Sequence, residues 1–222
     1  MSSGCASKSK TSNSMTIVAR THLSTDATTS TQPGYLVVIS APSGGGKTSI
    51  IRGILNSQQS DFRYSTSMTT RPPRPGERHG RDYFFASETE FQKIIRENGF
   101  VEWAVVHNHH YGTPRAKLEE WLSAGKFVIM DLDVQGGLNV KQRYGERAIL
   151  IFIKPPSMES LQARLKGRNT DSPADIDVRL QAADRELAMA EQYDHIIVNN
   201  DLAETVKQVA AIINSHRTPQ KS

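Results

Sequence analysis

Cysteine is nearly missing from this chain of 222 residues, with Cys5 standing alone. A single thiol excludes an intrachain disulfide framework and a cysteine metal cluster, and it suits a reducing cytoplasm. Apolar runs long enough to cross a bilayer are absent too, so no membrane partner is expected. Charge of one sign is scarce: 27 basic against 23 acidic residues leave +4. That excess is too small to argue for nucleic acid, although an isoelectric point near 9.2 leaves a weak preference for anionic partners. Acids are rarest in the first 33 residues, where Asp26 is the only one among many Ser and Thr. Residues 1–33 are therefore expected to be a disordered tail. The Gly4-Cys5 pair lacks the apolar segment that a lipoprotein cleavage site needs. An organellar transit peptide has a similar acid-poor composition, and Met15 is an alternative start.

What remains is enough for one substantial core with a small insertion or lid. From Tyr35 onward, short β-rich runs alternate with amphipathic segments, the pattern of an α/β domain around a mostly parallel sheet. Strands are expected at 35–40, 126–133, 148–154 and 195–199, and their nearly continuous apolar character is that of strands buried on both faces. Helices are expected at 47–57, 87–98, 114–124, 157–167, 176–193 and 202–215, several opened by Ser or Pro start signals. The stretch from about 61 to 113 is richer in Arg, Pro, Gly and aromatics and reads as an inserted β-rich subdomain. Residues 166–178, polar with Gly167 and Pro173, read as a mobile lid. The core is then 34–60 with 125–216, and 217–222 is a second tail.

Ser40 to Ile50 read SAPSGGGKTSI, nearly the phosphate-loop pattern G-x-x-x-x-G-K-[ST]. Phosphate binding there needs a turn from a buried strand into a helix, with backbone amides converging on an anion at the helix N-terminus. The apolar run before it and the amphipathic segment after it supply both elements. Ala41, Pro42, Ser43, Gly44, Gly45, Gly46, Lys47 and Thr48 are thus the expected ATP-phosphate site, with Lys47 reaching the β and γ phosphates and Thr48 offering its hydroxyl to Mg²⁺. Alanine in place of the first glycine is tolerable if positive φ is demanded only inside the glycine triplet, since Ala41 stands at the strand exit where β-region backbone suits any L-residue.

STSMTTRPPRPGE (65–77), with GRDYFF, FVEWA, HYGT and MDLDVQG further on, resembles guanylate kinase from about Tyr35 to about His216. The resemblance implies a phosphate-loop NTPase fold with a GMP-binding subdomain, and the reaction ATP + GMP giving ADP + GDP with Mg²⁺ as cofactor, a step of purine nucleotide metabolism. It also implies that Gly or Ala is acceptable at position 41. Carried over by matching positions, Arg71, Arg74, Tyr83 and Tyr111 are GMP-phosphate ligands, a task that suits guanidinium forks. Glu102 would read guanine through N1–H and the 2-amino group, while Ser67 and Thr113 offer hydroxyls to O6. Asp133 would lie near the base. Adenine presents neither that donor pair nor that acceptor, so it would leave the buried carboxylate unpaired.

Asp131, near the end of its strand, is placed like the carboxylate that organises Mg²⁺ and its waters. Arg164, Arg168 and Arg179 match arginines near ATP and the transferring phosphate, and Asn199 matches an adenine contact. At Asn169, Asn200 and His110 the chain departs from the family pattern. Plainer readings stand beside these. RPPRP could be a polyproline ligand, the tyrosines ordinary sheet aromatics, Glu102 a solvated strand position, Asp131 a cap of the next helix, and Arg164 with Arg168 an exposed basic stripe. Three histidines in HNHH (107–110) have no carboxylate or cysteine beside them to complete a transition-metal site. The other functions weighed are a guanylate-kinase-like protein-interaction module and a phosphate-loop kinase for another acceptor. The first often loses the phosphate loop that is intact here, and the second would lack the joint set Arg71, Arg74, Glu102 and Thr113.

Overall fold

A computed structural model describes residues 33–57, 61–106, 108–167 and 173–217, all within the unit Thr31–Ser222. Its centre is a parallel sheet in the order β2-β7-β1-β8-β9, built from Phe62–Ser65, Phe127–Asp131, Tyr35–Ser40, Ala148–Lys154 and His195–Val198. Successive strand residues point to opposite faces, and the consequence is visible along β1. Leu36 and Val38 join Val128, Met130, Leu150 and Phe152 in one apolar cluster, under helices α3 (Arg115–Ser123) and α4 (Val134–Tyr144). Val37 and Ile39 join Ile129, Ile149 and Ile151 in the other, covered by Ile50 and Ile54 of α1 (Lys47–Asn56) and by Val209 and Ile213 of α7 (Leu202–Ser215). Burial on both faces explains the unbroken apolar runs of β1, β7 and β8. The edge strand β9 is different: Ile197 is buried, while Ile196 and Val198 are 46% and 43% exposed, so the two-faced burial expected of it does not occur.

A second sheet, order β4-β3-β6-β5, is formed by Phe84–Phe85, Met68–Thr69, His109–Pro114 and Phe100–Val106, with α2 (Glu88–Arg96) packed through Phe91 on Phe100. Ser87 and Glu90 close a reciprocal capping box at the start of α2, as its sequence signal implies. This is the β-rich insertion, but its boundary shifts. Phe62–Ser65 pair in parallel with β7 and belong to the core sheet, so the insertion starts after Ser65 and not at 61.

Two further expectations are corrected. The strand over 126–133 stops at Asp131, because Asp133 turns outward to cap α4 by accepting from the Gly136 amide at 2.7 Å. Helix α4 itself was not among the expected helices, and Gly136 and Gly137 lie inside it. Gly137 is required there: a β-carbon would collide with the Tyr193 hydroxyl, which donates to Ser40 Oγ at 2.8 Å. Of the expected lid, Lys166 ends α5 (Met158–Lys166), residues 173–178 open α6 (Pro173–Met189), and 168–172 lie outside the described residues. Arg168 and Asn169 fall among the latter, as do His107 and residues 1–32.

Candidate active site

The turn from β1 into α1 has the form an anion needs. Gly44 and Gly46 take φ of 92° and 97°, a left-handed conformation that costs glycine little, whereas Ala41 is not among the positive-φ residues. The Gly45 amide donates to Pro42 O at 2.8 Å, closing the loop. At the start of α1 there is no side-chain cap and no acidic residue in the first turn. Its first amides and the helix dipole are therefore presented to solvent without a competing carboxylate. Lys47 leans across to the neighbouring strand, 2.6 Å from Asp131 and donating to Leu132 O at 2.9 Å. Parallel pairing of β1 with β7, Ile39 opposite Asp131, puts lysine and carboxylate at the same end of the sheet. Asp131 thus does not cap the following helix; Asp133 does.

The loop opens on a cavity of about 510 Å³ whose far wall is the second sheet, with Ser67, Tyr83, Glu102 and Tyr111 on that side and Asp131, Asp133 and Glu186 between. Glu102, on β5, is mostly removed from water. Burial first, and the negative charge of Asp133 in addition, push its carboxyl from 4.5 up to about 7, against the opposing pull of hydrogen bonds from Thr113. Thr113 Oγ1 donates to Glu102 Oε1 at 2.7 Å and is only 1% exposed. Its one hydroxyl proton is spent on the carboxylate, so it orients Glu102.

Arg71 stands behind the tyrosines. Its Nε donates to the Tyr111 hydroxyl at 3.1 Å, which leaves that hydroxyl's own proton directed elsewhere, and its guanidinium lies 5.5 Å from the Tyr83 ring centre. Burial raises the Tyr83 phenol, keeping it a donor. One Arg71 nitrogen also donates to both oxygens of Glu77, at 2.9 and 3.0 Å, and the Arg74 amide donates to the same carboxylate at 2.7 Å. The Arg74 side chain is exposed. Glu77 was not among the expected site residues, although it closes the very stretch that carries Arg71 and Arg74.

On the other side, Arg179 of α6 donates to Ser43 Oγ at 3.1 Å, and Arg164 of α5 to Asn199 O at 3.3 Å. Asn199 stands against the glycine loop. It is 5% exposed, its amide donates to Gly45 O at 2.9 Å and its oxygen accepts from Thr205 at 3.1 Å. Such a side chain braces the glycine loop. His110 is held by Glu88 at 3.1 Å and lies near Phe91, while His107 of the histidine run is outside the described residues; among the described residues no group of three or more His, Cys, Asp or Glu could hold a metal by itself. No helix among them is long and apolar enough to cross a membrane.

A glycine loop between a buried strand and a helix, a lysine–carboxylate pair across adjacent parallel strands, and a second sheet facing both define a phosphate-loop nucleotide kinase fold. The family model described as guanylate kinase matches residues 34–216. A guanylate kinase of Thermotoga maritima is 45% identical over 184 residues, covering 83% of this chain and 88% of that protein. One from a Polaromonas species is 43% identical over 185 residues, covering 83% and 89%. The crystal structure of guanylate kinase from Anaplasma phagocytophilum superposes with a TM-score of 0.71 at 30% identity, over 85% of this chain and 89% of that one. The chain belongs to the guanylate kinase family.

Proposed function

We propose that this protein transfers the γ-phosphoryl group of ATP to GMP, giving ADP and GDP. The observation that carries this is the Glu102–Thr113 pair: a desolvated carboxylate, oriented by a buried hydroxyl at 2.7 Å, opening on the same cavity as the glycine loop. Only a base that brings two adjacent donors satisfies such a carboxylate, and guanine does so through N1–H and the 2-amino group. In this reading the amides of Gly44, Gly46, Lys47 and Thr48 cradle the ATP phosphates, and Lys47 exchanges Asp131 for phosphate oxygens. Ser67 and Asp133 flank the guanine, while Tyr83, Tyr111, Arg71 and Arg74 take the GMP phosphate. Arg164 and Arg179 offset the charge gathered at the loop. Phosphoryl transfer asks mainly that two anions be aligned, water excluded and charge stabilised.

The oxygen donors present suit a divalent cation such as Mg²⁺. Thr48 is exposed at the cavity and Asp131 partly so, and with no protein-only cage among the described residues the ion would be shared with the ATP phosphates, as Mg²⁺ usually is. When bound it would neutralise the β and γ oxygens. Thr48 would ligate it directly and Asp131 through water. A reducing cytoplasm fits the lone thiol.

The test is ADP release with AMP, GMP, CMP, UMP and dGMP as acceptors, with Lys47→Ala and Glu102→Ala alongside. GMP should be favoured over AMP by on the order of 10⁴, Lys47→Ala should cost about 10² or more with every acceptor, and Glu102→Ala should erase the preference for GMP. No turnover with GMP, or equal turnover with AMP, would sink the assignment.

A further inference from the structure

Glu186 lines the active cavity but has no part in the phosphate loop or in the Glu102–Thr113 pair. It belongs to the inward face of α6, where Ile176 and Ala183 are buried and Arg179 touches Ser43. Residues 176, 179, 183 and 186 follow the three-and-four spacing of one helix face, and Glu186 is seven beyond Arg179, nearly two turns along the same stripe. Its Oε2 is fully buried and has no hydrogen-bond partner among the described residues. Burial raises its carboxyl, Lys47 pulls it down and Asp133 pushes it up. An acceptor left unmatched inside an active site is costly unless a ligand supplies the donor.

The donors that two nucleotides bring are few. Phosphate oxygens are anionic and repel a carboxylate. The guanine donors belong to Glu102, on which the charge of Asp133 acts as it does on Glu186. In GMP the ribose is covalently fixed between the base, read at Glu102, and the phosphate, held at Tyr83 and Tyr111. All three residues line the cavity that Glu186 lines, so the sugar of the acceptor must pass through it. We propose that Glu186 accepts a hydrogen bond from the 2′-hydroxyl of the acceptor ribose and is the residue by which this enzyme prefers GMP to dGMP. The proposal rests on the GMP kinase reading above.

It is tested by measuring kcat/KM for GMP and for dGMP with the full chain, its Glu186→Gln variant and its Glu186→Ala variant, with the Mg²⁺ requirement measured for each acceptor. A hydrogen bond from a hydroxyl to a buried carboxylate is worth about tenfold or more. The unsubstituted protein should therefore favour GMP by about that factor. Glu186→Ala should lose it on GMP alone and leave dGMP unchanged, and Glu186→Gln, whose amide oxygen still accepts, should fall between. Equal efficiency of the unsubstituted protein on the two acceptors, or equal losses on both in the variants, overturns the proposal and leaves the kinase assignment standing. A raised Mg²⁺ requirement that is the same with either acceptor also overturns it, since the carboxylate would then serve the cation. Failure of the unsubstituted protein to use either acceptor refutes the kinase assignment itself.

Discussion

Glu102 should make GMP recognition sensitive to acid across the neutral range. Its carboxyl is pushed up to about 7, chiefly because burial strips it of water, and to meet two donors on guanine it must be ionised. The ionised fraction then falls from about nine-tenths at pH 8 to about one-tenth at pH 6, so KM for GMP should rise about tenfold over that interval while kcat changes less. The GMP phosphate also takes up a proton near pH 6, so the diagnostic comparison is with Glu102→Gln, which cannot titrate and should retain only the phosphate limb. Calorimetry at pH 7 in two buffers of different ionisation enthalpy should further show about half a proton released per GMP bound. Identical KM profiles for the two proteins from pH 6 to 8, with no proton release, would refute the argument.

The same displacement acts on stability. Glu102 is raised from 4.5 to about 7 in the fold, so its folded form favours the neutral acid. Relative stability is then complete below about pH 4.5, declines as the pH rises, and is fully lost above about pH 7. The total is about 3 kcal/mol at most. Glu102→Gln should accordingly melt higher than the unsubstituted chain at pH 8, and the difference should shrink as the pH falls toward 5. A constant difference in melting temperature would mean that the carboxyl does not carry this burden.

Three other perturbations probe the frame around the site. Ala41→Val adds two methyls to a side chain that is 8% exposed and already 3.0 Å from where a β-carbon on Gly45 would be. It should cost about 1–3 kcal/mol in the melt and weaken ATP binding about as much as Lys47→Ala does; unchanged KM for ATP would show that the loop has room. Glu77→Gln keeps the shape but removes the charge that holds Arg71 and the Arg74 amide, and should raise KM for GMP about tenfold with kcat nearly kept. A lower KM would mean that Glu77 competes with the phosphate. Gly137→Ala should lower the melting temperature by about 2–8 °C by colliding with the Tyr193 hydroxyl, and the double variant with Tyr193→Phe should recover part of the loss.

The elements that were legible from sequence are those whose signal is local. Residues 35–40 and 148–154 are strands with the expected limits, because an apolar run bounded by turn residues and buried on both faces leaves no other period. Phe62–Ser65 was not legible: FRYS is short and half polar, and only its pairing with β7 makes it a core strand. Helix α4 was not legible through its paired glycines, of which Gly137 makes room for Tyr193, 56 positions downstream in the chain.

The same division runs through the site. Ser67, Tyr83, Glu102, Tyr111, Asp131 and Asp133 line the cavity together with the glycine loop. Thr113 and Asn199 each hold another group, through a bond that crosses 11 or 154 positions of sequence. Resemblance can mark such residues as belonging to the site, but it assigns them to the ligand, since nothing in local spacing tells a contact from a brace. The distinction has kinetic content. Removing a brace such as Asn199 should disturb the Gly45–Gly46 backbone, and so ATP and the transferred group alike, without regard to the base carried by the nucleotide. Removing an adenine contact would instead narrow the gap between ATP and other triphosphate donors. Asn199→Ala should therefore lower kcat/KM for ATP and GTP by the same factor, and a loss confined to ATP would return the side chain to the adenine.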